Sequence, residues 1–91
     1  MHFFDMLLKK PSTFKILKVL LSNPYDEMTK YSIRKHSGVE HVDGALKLLV
    51  SLNLVVKVSY GGISKYRANL SDERVKAIMK FFTEIKYLST L

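Results

Sequence analysis

The sequence predicts an α+β fold in which three helices are followed by a β-hairpin and a long C-terminal helix. Apolar residues recur at helical spacing in three successive segments between positions 12 and 52, the period becomes extended at Leu54, and it returns to helical after Ser71. Within the extended stretch stands Gly61-Gly62, the signal of a tight two-residue hairpin turn. A chain of 91 residues has room for one domain, spanning 1–91, with a core over about residues 12–70. The segment 1–10 and the helix 71–89 remain for packing and dimerisation.

The first core helix is Ser12 to Ser22, with Phe14, Ile16, Leu17, Leu20 and Leu21 largely at helical spacings, Ser12 as its cap and Asn23-Pro24 as its stop. Thr29 caps a shorter helix running to about His36, and Ser37-Gly38 supplies a residue tolerant of left-handed backbone at its end. A third helix runs from about Glu40 to Leu52, because Val42, Ala45, Leu46 and Leu49 stand at i, i+3, i+4 and i+7. Asn53 ends it. With Gly61-Gly62 as the turn, Tyr60 faces Ile63, Val58 faces Lys65 and Val56 faces Arg67, while Lys57 faces Tyr66 on the other side. Ser71 caps the last helix, whose first turn holds Asp72 and Glu73 where negative charge complements the helix dipole, and the helix continues to about Ser89.

Charge narrows the partners. Fifteen Lys and Arg against eight Asp and Glu give a net charge of +7, so polyanions are the natural ligands. No run of about 18 uncharged apolar residues is present to cross a membrane, although 47% of the residues are hydrophobic. Met1 to Leu8 lacks the basic start and small-residue cleavage site of a signal peptide. The absence of cysteine excludes disulfides, thiol nucleophiles and thiolate metal sites and fits an intracellular setting. His2, His36 and His41 form no metal-ligand pattern, and Glu40, His41 and Asp43 do not converge on one helical face. Neither catalytic residues, metal nor cofactor are expected.

Particular residues then carry a resemblance. Thr29-Lys-Tyr-Ser-Ile-Arg-Lys-His-Ser-Gly-Val39 looks like a helix-and-turn signature, His41-Val42-Asp43-Gly44-Ala45-Leu46-Lys47-Leu48-Leu49 like a recognition helix, and Leu54-Val55 like the pair leading into a wing. Lys65-Tyr66-Arg67 with Leu70-Ser71-Asp72-Glu73 looks like a second wing strand and the start of a terminal helix. Over about residues 12–75 the chain resembles the winged helix-turn-helix superfamily, in particular small prokaryotic transcriptional regulators of the MarR and ArsR type. It departs from that pattern at Arg34, where a small residue is usual, at Gly44, which removes a side chain that often reads bases, and at Leu48, Val50 and Leu52, which are usually polar.

The resemblance implies a sequence-specific regulator of transcription that binds double-stranded DNA, with helix 40–52 in the major groove and wing 55–69 on the backbone and minor groove. Glu40, His41, Asp43, Gly44 and Lys47 would then face the bases, Asp43 as an acceptor from cytosine and Lys47 as a donor to guanine or phosphate. Lys30, Arg34, Lys35, Lys57, Ser64, Lys65 and Arg67 would hold phosphates. The expected location is the cytoplasm, on the nucleoid, and the simplest action is repression by occupying a promoter. Two rival uses of the same fold stand beside this one: a protein-interaction module, and a chromatin-like protein coating DNA without sequence preference.

The last helix suggests assembly. Val75, Ile78, Phe82 and Ile85 form one stripe, with Met79 and Phe81 widening it, more apolar surface than one small core uses. A homodimer through this helix, joined by Phe3, Phe4, Leu7 and Leu8, is therefore expected, with two recognition helices about one DNA turn, roughly 34 Å, apart.

Overall fold

The computed structural model describes residues 2–88, apart from the side chain of Phe3. Its elements in chain order are α1 (Phe3–Leu8), α2 (Ser12–Ser22), α3 (Lys30–Ser37), α4 (Asp43–Ser51), β1 (Val55–Tyr60), β2 (Ile63–Ala68) and α5 (Glu73–Glu84). The predicted α+β architecture is present, with one further short helix, α1, at the N-terminus.

Helix α2 is the axis of the core. Its Ile16, Leu17, Val19, Leu20 and Leu21 are buried, and it packs against α3, α4 and β2. No side chain caps its start; Pro11 stands there instead of the expected Ser12. The turn from α1 does the work, since the amides of Thr13 and Phe14 donate to the carbonyls of Lys10 and Pro11. The fully buried Thr13 hydroxyl donates to Leu7 O at 3.1 Å and Lys10 O at 2.7 Å, which fixes α1 on α2 without leaving a polar group unsatisfied.

Helix α3 begins as expected. Thr29 Oγ1 accepts from the Ser32 amide at 3.2 Å, and Gly38, at φ 73°, is the left-handed residue that ends the helix. Ile33 is its one buried residue, so the neighbouring Arg34 points to solvent and occupies no core position.

Helix α4 differs from expectation by starting three residues later, at Asp43. Ser37 Oγ accepts from the Val39 amide at 3.1 Å, Val42 is buried and Val39 packs on the core. Apolar anchoring thus holds residues 39–42 in a link, and Glu40 and His41 lie exposed on that link rather than on the helix. Asn53, at φ 64°, follows the end of α4, as expected of a residue that tolerates left-handed backbone.

The hairpin has the expected register: Tyr60↔Ile63, Val58↔Lys65, Val56↔Arg67 and Lys57↔Tyr66. Gly61 and Gly62 both have positive φ, 51° and 90°, the backbone that a turn matching strand twist requires. Met28 adds a single antiparallel bridge to Tyr66, with reciprocal amide-to-carbonyl bonds of 2.8 Å. The segment before α3 is thereby tied to β2, on the edge away from β1.

Helix α5 is capped by Asp72, not by Ser71. Its carboxylate accepts from the amides of Arg74 at 2.8 Å and Val75 at 3.4 Å, while Ser71 Oγ donates to Asn69 Oδ1. The helix also stops short of the expected end. Ile85 is its C-cap, Lys86 turns left-handed at φ 58°, and the amides of Lys86 and Tyr87 donate back to the carbonyls of Thr83 and Phe82. That bonding pattern reverses the chain and brings ring against ring, Tyr87 on Phe82 with centroids 4.8 Å apart. Residue 89, the expected end, lies outside the described residues.

Candidate nucleic-acid interface

Residues of α3, α4, β1 and β2 border one cleft, and residues of α3 and the α3–α4 link border a second hollow. Here the structure gathers most of the residues expected to meet DNA. Lys30, Asp43, Lys47 and Lys57 line a cleft of about 500 Å³ whose remaining wall is Leu46, Val50, Ser51 and Tyr66. Lys47 comes from α4 and Lys57 from β1, so the third helix and the wing present cations to the same hollow. Among the described residues neither lysine has a carboxylate within ion-pair distance.

Lys30 and Asp43, by contrast, satisfy each other. The Lys30 ammonium lies 2.6 Å from Asp43 Oδ1 and joins the first turns of α3 and α4. The hydrogen bond holds the Asp43 carboxyl below, and the Lys30 ammonium above, their ordinary values. Both side chains are exposed, at 42% and 76%, and exposed pairs contribute little to stability. The pair acts mainly on charge: it cancels one cation at the centre of the face and engages the acceptor expected to read cytosine.

A second hollow of about 290 Å³, on the outside of the α3–α4 link, is lined by Tyr31, Arg34, Lys35, Gly38, Val39 and Glu40. Arg34 and Lys35 are exposed in the last turn of α3, where positive charge complements the helix dipole. Glu40 shares their hollow and offsets part of their charge. Tyr31 is two-thirds exposed, an aromatic beside the basic group that the sequence reading did not single out.

The hairpin divides its cations between two faces. Lys57 shares a face with the buried Tyr66 and Ala68, with Ser64 farther out, whereas Lys65 and Arg67 lie on the opposite face with Val56, Val58 and Tyr60. Glu27 organises that second face. Tyr60 Oη donates to Glu27 Oε1 at 2.7 Å, which raises the phenol's pKa, and Arg67 Nε lies 3.9 Å from Glu27 Oε2. Lys65 Nζ sits 5.8 Å from the Tyr60 ring centre, within reach of a cation–π attraction. Arg67 therefore belongs partly to a clamp that steadies the wing, and Glu27 is a contributor that no local sequence signal marks.

Gly44, on the first turns of α4, has Lys10 beside it: a Cβ built there would stand 2.9 Å from Lys10 Nζ. Lys10 is remote in sequence and nothing near it points to α4, yet it adds a cation at the helix's first turn.

The expected dimer residues separate into two sets. Leu7, Val75, Ile78 and Phe82 are buried in the chain's own core and Met79 is half-buried against it. Phe4 and Ile85 remain exposed, and the Phe3 side chain lies outside the described residues. No helix among the described residues is long and apolar enough to cross a membrane. No protein-family model, curated protein or solved structure matches this chain.

Proposed function

We propose that this chain binds double-stranded DNA and regulates transcription, with α4 entering the major groove and the hairpin lying on the backbone and minor groove. The observation that supports this best is the convergence of Lys47 from α4 and Lys57 from β1 on one cleft beside the α3–α4 turn. A helix is the element that fits the major groove. A cation on the strand that follows, placed to reach a flanking phosphate while Lys47 works at the groove, fixes register without reading sequence.

On this reading Lys47, Lys57, Lys10, Arg34 and Lys35 carry most of the phosphate affinity. Glu40 and His41, on the link before α4, approach base edges from the helix's N-terminal end. Ser64 and Lys65 contact the backbone from the wing. The simplest action is occupancy of a promoter on the nucleoid. Fluorescence anisotropy with a random duplex across a salt series tests the reading. Phosphate contacts release counterions, so log affinity falls linearly with log salt, with a slope near −0.9 per phosphate neutralised. A slope of about −4 or steeper supports the proposal; salt-insensitive binding or none overturns it.

A further inference from the structure

The hairpin ends in apolar side chains. Tyr60 and Ile63 face each other across the turn and are 52% and 57% exposed. Val58, the next residue back on the same face, is half-buried. Gly61 and Gly62 between them carry no side chain, and beyond the chain neighbours of each no atom stands within 4 Å of where its Cβ would lie. The turn therefore stands clear of the rest of the chain, with Tyr60 and Ile63 as its apolar edge.

That edge is stiff. The Tyr60 hydroxyl donates to Glu27 at 2.7 Å and Lys65 Nζ lies over the ring, so the ring is held at its rim and on its face. Ile63 beside it is β-branched and restricted in its rotamers. Cross-strand packing of such a pair steadies a hairpin anywhere along its length; here it occupies the end with no core beneath it, among charges of one sign. Residues 55–68 contain Lys57, Lys65 and Arg67 and no Asp or Glu. Lys65 stands two residues behind Ile63 on the same face, and Lys57 lies farther back on the other. An apolar edge with cations set behind it matches duplex DNA, whose stacked bases lie between two rows of phosphates.

We infer that Ile63, backed by the Tyr60 ring, is an apolar wedge that enters the minor groove and partly unstacks one base step, so that the chain bends DNA and favours sites with a flexible pyrimidine–purine step under the hairpin. The wedge rests on the duplex binding proposed above. Apolar side chains inserted between base steps kink a duplex by roughly 20–90° toward the major groove. In the minor groove A·T and T·A pairs offer the same acceptors, so hydrogen bonds there do not separate a TA step from an AA step. Unstacking does separate them, because TA steps open readily and A-tracts are stiff. Sequence preference gained in this way offsets what α4 lacks at Gly44, which has no side chain to read a base.

Energy transfer between the labelled ends of two duplexes of about 25 base pairs, both built of A·T pairs alone, one alternating and one an A-tract, reads the bend. Wild type draws the ends of the alternating duplex together and binds it about fivefold more tightly than the A-tract. Ile63→Thr, which keeps a β-branched residue in the strand, binds the two duplexes alike and leaves both straight, whereas Ile63→Leu, still apolar, keeps the bend. Wild type that binds without bending either duplex overturns the wedge and leaves the DNA-binding reading standing, as does an Ile63→Thr chain that bends and discriminates as wild type does. Wild type that binds neither duplex overturns both.

Discussion

Lys30 Nζ and Asp43 Oδ1 stand 2.6 Å apart and bind the first turn of α3 to the first turn of α4. The contact joins two residues that the sequence suggested for separate tasks, one on phosphate and one on a base. If this side meets DNA as proposed, a phosphate that captures Lys30 would release Asp43, and a cytosine amine that captures Asp43 would release Lys30.

Asp43→Asn therefore separates the two roles. With the carboxylate gone Lys30 is unpaired, so affinity for a random duplex rises and the salt slope steepens by about one unit. Were Asp43 chiefly a base reader, the same substitution would leave random-duplex binding unchanged and would alter sequence preference. Anisotropy titrations of both proteins at three salt concentrations decide the point.

Lys47→Gln and Lys57→Gln should each weaken binding to all duplexes alike and flatten the salt slope by about one unit, because each removes one phosphate contact. Both side chains are exposed, so the melting temperature should stay within a degree or two of wild type.

Gly44 sits inside the first turns of α4, where glycine costs about 1 kcal/mol relative to alanine. The one atom close to a Cβ at this position is the end of the flexible Lys10 side chain, which moves aside at little cost. Gly44→Ala should stabilise the fold by up to about 1 kcal/mol in urea denaturation. Gly38→Ala, at φ 73°, should destabilise it by about 1 kcal/mol, because alanine resists left-handed backbone. Equal effects at both positions would contradict this account.

Acid should act through Asp72. The hydrogen bond from the Arg74 guanidinium, with the amides of Arg74 and Val75 aiding it, holds this carboxyl down to about 2. Its folded value is depressed, so its contribution is fully present above the ordinary carboxylate value of 3.8 and is lost as pH falls from there toward about 2. Arg74 Nη2 also donates to Leu52 O at 2.8 Å, so the cluster ties α5 to the end of α4. Asp72→Ala should cost about 1–2 kcal/mol at neutral pH, and unfolding between pH 4 and pH 2 should be shallower in that variant than in wild type.

What the sequence made legible was local chemistry. Thr29, Gly38 and Gly61-Gly62 act through backbone within three residues of themselves, and each sits as expected. The errors arose where tertiary contacts outweighed local signals. Val39 and Val42 anchor in the core and delay α4 to Asp43, while α5 ends early at a left-handed Lys86 that no glycine or asparagine announces. The site was legible in its cations but not in their pairing. Lys10 beside Gly44 and Glu27 between Tyr60 and Arg67 join residues 33 or more positions apart, and no periodicity encodes such contacts. The apolar stripe on α5 was visible, but which of its two sides faced inward depended on where α1 and α2 packed.

The central claim, that the α3–α4–hairpin side meets DNA, is tested most directly by mapping amide shifts of the labelled protein during titration with a short duplex. The account predicts shifts concentrated at Lys30 to Lys47, at Lys57 and at Ser64-Lys65, with α1 and the Phe81 side of α5 unmoved. Shifts confined to α1 and α5, or none at concentrations well above those of an ordinary non-specific DNA-binding protein, would contradict it.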